Sequence, residues 1–353
     1  MVSNKEDEKY IKMCFKLALK ARGKTFPNPL AGAVIVKEGT IISKGYHKKC
    51  GSNHAEREAV LKAKDADLKD SVIYVNLEPC SHFGKTPPCT DLIIEKKIKR
   101  VVFSSYDKNP LVEGVKKLKE NGIEVTGGVL EKEGNELNKV FFKNITAKMP
   151  YVALKTAVTL DSKIAASNYN SKWITNEKSR FEVMKLRSNF QAILTGSNTV
   201  KYDNPKLTSR IKGGINPVRI IMDRNGRLDL KSNVFADDGT RVMVIDNSDK
   251  KYPSHIEKIP CEDIKNLMET LYKKGIYSIL VESGGGLNSV LIKEKAVDEV
   301  YQFIAPKILG GGIDFISGFN PCKIEDSVKV YDMKIKKIDD DILLNYKLNP
   351  DIL

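Results

Sequence analysis

The sequence has 353 residues, of which 41% are hydrophobic and 29% are charged, a composition that suits a soluble globular protein with room for two domains. A membrane-spanning protein is excluded, because no apolar run is long enough to cross a bilayer. A disulfide-rich secreted domain is excluded, because the six cysteines are scattered and the N-terminus is charged and does not resemble a signal peptide. The formal net charge of +14 comes from lysines spread along the whole chain, so we favour a solvated basic surface over a nucleic-acid-binding one and expect a cytoplasmic protein.

The first part of the chain alternates between helical and strand patterns. Apolar side chains recur at helical spacing over 6–22, and 31–47 predicts two short strands joined at Glu38-Gly39. Further helices are predicted at 54–64, 90–98 and 111–121, and further strands at 72–78, 100–107 and 123–129. This alternation indicates a layered α/β domain.

A second series of elements begins near Pro150. It opens with a predicted strand over 151–165 and a helix at about 177–189. The remaining predicted elements are strands at 190–196, 218–223, 242–246, 277–282, 299–305 and 342–348, and helices near 262–274 and after the glycines at 284–286. We therefore predict two α/β domains, 1–147 and 148–353.

Metal-binding and acid–base residue types come together in the first domain. His54 and Glu56 open a predicted helix in 53-NHAEREAV-60, and Cys80 and Cys89 flank a loop in 78-EPCSHFGKTPPC-89. One imidazole and two thiolates form a three-ligand zinc site whose fourth position stays free for water. Zinc would lower the pKa of that water toward about 7, and Glu56 could take its proton and return it to a leaving amine.

This pattern is that of zinc-dependent nucleoside and nucleobase deaminases, although eight residues separate the two cysteines here where two are usual. The alternative from the residues alone is a structural zinc knuckle with Cys50 as the fourth ligand. A structural site of that kind would have no need of Glu56.

The chain also resembles a known family. The segments 27-PNP-29, 45-GYH-47 and 54-HAE-56 and the long loop from Cys80 to Cys89 are similar to the bifunctional riboflavin-biosynthesis proteins, in which a pyrimidine deaminase is fused to a reductase. The resemblance covers nearly the whole chain. It implies an α/β protein with an N-terminal cytidine-deaminase-like three-layer domain and a C-terminal dihydrofolate-reductase-like domain.

At the first site, the resemblance implies that His54, Cys80 and Cys89 bind Zn²⁺ and that Glu56 carries protons. It also implies substrate contacts from Asn28, His47, Asn53 and His82; the alternative is loop-turn chemistry, particularly for Asn28 between two prolines. The chain departs from the family after Gly114, where the loop is shorter and lacks a second glycine that is usual there.

A glycine-rich turn marks the second candidate site. The predicted strand 277–282 runs into this turn and then into a helix, which lets backbone amides approach a phosphate. The turn does not match G-x-G-x-x-G, so a Rossmann domain is not supported, and a helix-entry turn without a ligand remains an alternative. The segments 155–165, 171–175, 194–210 and 282–288 resemble the reductase half of the family, whose hydride donor is NADPH.

The resemblance assigns roles around this second site. Cofactor contacts are implied for Ala157, Trp173, Thr199, Asp203, Gly284, Gly285, Gly286, Leu287 and Asn288. Substrate contacts are implied for Ser171, Arg187, Leu207, Arg210 and Glu282, with Lys155 and Asp161 near the reacting centre. Arginine suits a ribose phosphate, but Arg187 could also lie on a solvated helix face, Arg210 could be loop charge, and Trp173 could be a core residue. Ser162 stands where the family usually has glycine, and we expect little effect if its φ is negative.

We therefore expect a bifunctional enzyme of riboflavin biosynthesis. Zinc-dependent hydrolytic deamination of 2,5-diamino-6-(5-phosphoribosylamino)pyrimidin-4-one would be followed by NADPH-dependent reduction of the ribosyl side chain to ribityl. Its expected partners are this small phosphorylated pyrimidine and a second copy of the chain in a homo-oligomer, with no nucleic acid and no membrane. The alternatives are a nucleic-acid or nucleotide deaminase with a C-terminal binding module, and a zinc-stapled basic interaction protein without activity.

Overall fold

The computed structural model describes residues 5–84 and 87–349, so Lys85 and Thr86 of the cysteine loop lie outside the described residues. The described chain divides into two compact units, and it passes from the first to the second at Ala147–Lys148. Along 5–84 and 87–349, no helix combines the length and the apolar character needed to cross a membrane.

The first unit mixes short helices with one sheet. Its described helices are α1 (Lys5–Ala18), α2 (Ala55–Val60), α3 (Asp65–Leu68), α4 (Cys89–Glu95), α5 (Gly114–Glu120), α6 (Glu131–Leu137) and α7 (Lys139–Ala147), with a 3-10 turn at Leu19–Ala21. Its described strands are β1 (Gly32–Lys37), β2 (Thr40–Tyr46), β3 (Val72–Leu77), β4 (Arg100–Ser105) and β5 (Glu124–Thr126).

These strands form one sheet in the order β2-β1-β3-β4-β5, antiparallel at β2-β1-β3 and parallel at β3-β4-β5. Successive residues of β1 point to opposite faces, as strand geometry requires. Ala33 and Ile35 join the apolar cluster that includes α2 and α4, whereas Val34 and Val36 pack with residues of α1. Helices therefore cover both faces, which gives three layers.

The second unit is built on a larger sheet. Its described helices are α8 (Glu177–Asn189), α9 (Ser197–Asp203), α10 (Ile264–Lys273) and α11 (Gly285–Lys293), with 3-10 turns at Asn233–Phe235 and Ile324–Asp326. Its described strands are β6 (Tyr151–Thr159), β7 (Lys163–Ala165), β8 (Ala192–Gly196), β9 (Val218–Met222), β10 (Val242–Ile245), β11 (Ile256–Ile259), β12 (Ser278–Val281), β13 (Glu299–Ala305), β14 (Ile313–Asp314), β15 (Tyr331–Ile338) and β16 (Asp341–Lys347).

The main sheet has the order β11-β10-β9-β8-β12-β6-β13-β16-β15, and β7 pairs separately with β14. The strands from β11 to β13 run parallel, while β16 and β15 continue the sheet antiparallel. Because parallel strands end at the same edge, the segments after β8, β12 and β6 share one edge, where ligands of open α/β sheets usually bind.

The structure corrects two sequence predictions and adds elements that were not predicted. The stretch before Pro150, for which no element was predicted, contains α6 and α7. The single strand predicted at 151–165 is interrupted by a turn and becomes β6 and β7. The condition of a negative φ at Ser162 is also wrong, because its φ is +65°, a left-handed conformation that costs a non-glycine residue about 1 kcal/mol.

Candidate active sites

Three elements of the first unit bring the predicted metal ligands together. His54 is the residue before α2, Cys80 follows β3, and Cys89 is the first residue of α4. The His54 Nδ1 atom lies 3.5 Å from the Cys80 sulfur and 3.4 Å from the Cys89 sulfur. Nitrogen and sulfur ligands of a tetrahedral zinc ion lie about 3.5 Å apart, so the donor set fits zinc in both spacing and chemistry.

The surroundings of Cys80 favour its thiolate. The Cys89 thiol and the His54 imidazole hydrogen-bond to the Cys80 sulfur, as does the Cys89 backbone N–H at 3.3 Å. Together they lower the pKa of Cys80 to about 4, despite burial. Among the described residues, the metal-ligand group consists of His54, Cys80 and Cys89 and does not include Cys50. The knuckle alternative therefore lacks its fourth ligand.

Glu56 lies beside this donor set. It is in the first turn of α2, and its side chain is only 5% exposed. Burial raises the pKa of the Glu56 carboxyl, and the negative charge of Cys80 adds to the rise. A carboxyl whose pKa is shifted toward neutrality can both accept and release a proton during turnover.

Three of the predicted substrate residues meet around the His47 ring. His47 is buried, its Nδ1 lies 3.0 Å from the Asn53 carbonyl oxygen, and its Nε2 lies 3.1 Å from the Asn28 side-chain nitrogen. Because the carbonyl can only accept, Nδ1 carries the proton and Nε2 accepts from the Asn28 amide. Burial lowers the pKa of His47, so it stays neutral, and its ring stands edge-on to His54 with centroids 5.7 Å apart.

The fourth predicted substrate residue, His82, lies on the cysteine loop. Its Nδ1 atom is buried and has no hydrogen-bond partner among the described residues. The nearby Asp107 carboxyl has its pKa raised to about 6 by burial, and the field of His82 opposes that rise. Asp107 was not predicted as a site residue, since nothing in its local sequence indicates that it approaches the cysteine loop.

A loop after β4 is tied to the zinc-ligand segment. The Glu78 carboxylate accepts hydrogen bonds from the backbone N–H groups of Asp107, at 3.3 Å, and Val115, at 3.0 Å. The Ser81 hydroxyl accepts from the Glu113 N–H at 2.8 Å. A Cβ at Gly114 would collide with the Pro79 carbonyl oxygen. The region that departs from the family therefore still depends on one glycine for close backbone contact.

In the second unit, a buried charged triad joins three predicted residues. Arg187 of α8 donates from Nε and Nη2 to the two carboxylate oxygens of Glu282, at 2.6 and 2.9 Å, and Lys155 of β6 lies 3.3 Å from the same carboxylate. Burial alone would raise the pKa of Glu282, but the charges of Arg187 and Lys155 lower it to about 2. Arg187 also donates to the Thr208 carbonyl, so most of its donors are already used.

Asp161 is engaged by the backbone of a distant segment. Its carboxylate accepts from the Thr159 hydroxyl at 2.6 Å and from the N–H groups of Leu309 and Gly310 at 2.7 to 3.2 Å. The Thr159 hydrogen bond, followed by that of Leu309, lowers the pKa of Asp161 to about 2. A carboxylate held in this way stays ionised and anchors the loop at 309–310.

A cavity of about 440 Å³ lies beside this anchor, lined among others by Thr159, Ser171, Trp173, Lys307 and Leu309. The Ser171 hydroxyl lies 2.9 Å from the Asp203 carboxylate. Trp173 is exposed rather than in the core, with the Arg180 guanidinium 4.5 Å from its ring centre.

The other predicted residues of the second unit have different surroundings. Ala157 packs against the cluster that contains Val183 and Phe303. Thr199 is half-buried on α9, Leu207 is buried, and Arg210 is exposed, as loop charge would be.

The glycine-rich turn lies where β12 ends and α11 begins, with Gly284 before the helix. Its neighbour β8 ends at Gly196, where an added Cβ would lie 3.6 Å from Leu287, and α9 begins one residue later. Two adjacent helix N-termini at one sheet edge fit the pyrophosphate of a dinucleotide. Asn288 is fully buried and bonds to Ser283 and to the Phe315 carbonyl, so its side chain supports the turn.

Comparison with known proteins assigns a family model to each part of the chain. Residues 4–105 match the family model for the cytidine and deoxycytidylate deaminase zinc-binding region, and residues 150–344 match that for the RibD C-terminal domain. The riboflavin biosynthesis protein RibD of Aquifex aeolicus is 40% identical over 351 residues, covering 97% of this chain and 98% of that protein. The chain belongs to the RibD family. The expected bifunctional deaminase and reductase of riboflavin biosynthesis is thereby confirmed, as are zinc and NADPH as the cofactors.

Solved RibD structures share the fold. A diaminohydroxyphosphoribosylaminopyrimidine deaminase/5-amino-6-(5-phosphoribosylamino)uracil reductase from Thermotoga maritima aligns with a TM-score of 0.92 at 42% identity, covering 97% of this chain and 98% of that one. RibD of Acinetobacter baumannii aligns with a TM-score of 0.89 at 34% identity, covering 97% and 99%. The predicted fold class, a cytidine-deaminase-like domain followed by a RibD-type reductase domain, is confirmed.

Proposed function

We propose that the first unit of this RibD protein deaminates 2,5-diamino-6-(5-phosphoribosylamino)pyrimidin-4-one, with zinc held by His54, Cys80 and Cys89. The observation that supports this most directly is the convergence of these three donor atoms within 4.8 Å of one another, beside the buried Glu56. Bound there, zinc would lower the pKa of a water molecule and so supply a nucleophile at neutral pH.

The protein residues then orient the substrate and move the protons. Glu56 takes the proton of the attacking water and passes it to the departing ammonia. Neutral His47 uses both ring nitrogens to hold the Asn53 backbone and the Asn28 amide, and so positions the Asn28 side chain for contact with the pyrimidine. His82, whose buried Nδ1 has no partner among the described residues, supplies a further contact to the substrate.

For the second unit, we propose that NADPH lies along the shared sheet edge between α9 and the glycine turn at 284–286. NADPH supplies the hydride that reduces the ribosyl side chain. The triad of Lys155, Arg187 and Glu282 carries one net positive charge and would hold the polar ribosyl group of an anionic substrate. Because Arg187 is already engaged, we assign the substrate phosphate to the exposed Arg210, and we assign Asp161 to loop anchoring rather than proton transfer.

A single assay tests both halves. The protein is mixed with the phosphoribosylaminopyrimidine and NADPH, and ammonia release and the loss of NADPH absorbance are followed together. Glu56→Gln should lower ammonia release by at least about 10²-fold, because it removes the proton carrier. Its zinc content and its reduction of the deaminated substrate should remain at the wild-type level.

Glu58→Gln is the matched control, since Glu58 lies on the same helix but pairs with Lys48 and Lys62 at the surface. It should leave ammonia release unchanged. Retention of deaminase turnover in Glu56→Gln would show that another group carries the proton.

We also propose that the chain works in the cytoplasm as a homo-oligomer without nucleic acid, and that β15 forms the subunit contact. β15 is the outermost strand of the main sheet, and its outer edge has no partner among the described strands. Tyr331, Met333 and Ile335 are exposed along it. Unpaired edges of this kind favour pairing with another chain. Sedimentation velocity should show a dimer or larger species that Ile335→Lys dissociates; a monomeric wild-type protein would exclude this contact.

A further inference from the structure

Two exposed tyrosines join one wall of the reductase cavity to the helix α9. Tyr169 and Tyr202 stack with ring centroids 3.8 Å apart and planes only 4° apart, although they are 38% and 44% exposed. Neither residue belongs to the site described above, and neither is explained by burial in the core. A contact between two aromatic rings helps to hold together the segments that carry them.

One of these segments is the cavity wall at 166–174. It carries Ser171 and Trp173, and its side chains at 168–170 are exposed. The wall attaches to the rest of the unit by few contacts, among them the Ser171–Asp203 hydrogen bond and the Lys307 ammonium group, which lies 2.9 and 2.7 Å from the carbonyl oxygens of Trp173 and Ile174. With so little buried apolar area, this wall depends on individual side-chain contacts for its position.

The other segment, α9, is firmly fixed. It follows β8 directly, and its Val200 side chain is buried. Asn204 at its end accepts two hydrogen bonds of 2.8 Å from Asn233, one from the backbone N–H and one from the side-chain amide. The position of α9 is therefore fixed independently of the tyrosine pair, whereas the position of the wall at 166–174 depends on it.

We propose that Tyr169 and Tyr202 are positioning residues that hold the substrate-side wall of the reductase cavity against the cofactor-side helix α9, and so set the affinity for the pyrimidine substrate. The inference rests on the proposed reductase function, in which NADPH lies along α9 and the glycine turn. It also uses the roles that the family resemblance implies, a substrate contact for Ser171 and cofactor contacts for Trp173, Thr199 and Asp203. Loss of the stack frees the wall but leaves α9 in place. Substrate binding must then order the wall, whereas NADPH keeps its contacts with α9 and the glycine turn and its affinity changes little.

The test uses the full chain with NADPH and the deaminated substrate. Tyr202→Ala should raise the KM for the pyrimidine about two- to tenfold, the range expected for loss of one aromatic pair, with kcat within about twofold. Tyr202→Phe keeps a stacking ring and should restore the wild-type KM. Since the two rings act as a pair, adding Tyr169→Ala to Tyr202→Ala should raise the KM no further.

Three controls separate positioning from general damage. The dissociation constant of NADPH, read from the fluorescence of the bound nicotinamide itself, should change by less than about twofold, the scale of an uncoupled change. Ammonia release by the first unit should be unchanged. Tyr272→Ala, which removes an aromatic pair with Tyr277 in the same unit, should leave the KM unchanged.

The outcomes are distinct. Unchanged KM in Tyr202→Ala, or the same rise in KM in Tyr202→Phe and Tyr202→Ala, would overturn the inference while the reductase function stands. A lower kcat with an unchanged KM would show a purely structural role and would overturn it too. Wild-type protein that oxidises no NADPH with this substrate would overturn the proposed function and the inference together.

Discussion

Removal of Arg187 from the second unit should have a large and pH-dependent effect on stability. The Glu282 carboxylate, only 8% exposed, receives two hydrogen bonds from Arg187 and one contact from Lys155. Arg187→Ala leaves a buried carboxylate with a single cation. Removing one partner of a buried pair typically costs 3 to 5 kcal/mol, and the remaining Lys155 places our expectation near the lower end, at about 3 kcal/mol.

The pH dependence gives a second measure of the same interaction. The pKa of Glu282 falls from an ordinary 4.5 to about 2 in the folded chain, a difference worth about 3 kcal/mol at 1.36 kcal/mol per pH unit. Because the folded pKa is depressed, this stabilisation is present above pH 4.5 and is lost as the pH falls toward 2. Arg187→Ala should therefore be much less stable than wild type at pH 7, and the gap should shrink toward pH 3.

The assay is urea unfolding followed by the fluorescence of Trp173, which reports on the second unit alone. The matched control is Lys185→Ala on the same helix, which breaks a surface pair with Glu182 and should cost less than about 0.5 kcal/mol. This reasoning would be refuted if the free energies of unfolding of Arg187→Ala and wild type differed by less than about 1 kcal/mol at pH 7. It would also be refuted if their difference stayed constant from pH 7 to pH 3.

Further predictions follow from backbone geometry and from the metal site. Ser162→Gly should raise the free energy of unfolding by up to about 1 kcal/mol in thermal melts, because glycine tolerates the φ of +65°; a lower melting temperature would contradict this. Gly114→Ala should reduce ammonia release and leave NADPH oxidation intact, because its Cβ pushes against the Pro79 carbonyl; equal loss of both activities would contradict a local effect. Dialysis against a zinc chelator should abolish ammonia release, which added zinc should restore, while reduction of the deaminated substrate continues.

Local patterns in the sequence were sufficient for much of the fold. Continuous apolar runs such as 277–282 and 242–246 correspond to the buried parallel strands β12 and β10, because such strands are covered on both faces. The helix predicted at 177–189 has those limits in the structure, where Asn176 caps its first turn. The zinc-site residues were also predictable, because histidine and cysteine are typical zinc ligands. Their motifs could be recognised without knowledge of the fold.

The missed elements have tertiary causes. Gly134 lowers the helix propensity of 131–137, yet a Cβ there would collide with the Ser104 and Ser105 hydroxyls of β4, so close packing explains the glycine. The strand β15 carries lysines at 334, 336 and 337, as edge strands often do, which obscured its pattern.

Site contacts between distant residues were equally hidden. The contact of Asp161 with Leu309 joins residues 148 positions apart, and no local pattern could predict it.

That separation has a consequence for the order in which the protein matures. β6 lies between β12 and β13, which follow it by more than a hundred residues, and Asp161 is tied to a segment made later still. The five-stranded sheet of the first unit, by contrast, is complete within its own residues. During translation the deaminase half can become compact early, whereas the reductase cavity can close only after β13 and residues 307–310 have left the ribosome, and a chain truncated before β13 would make a deaminase without its second activity.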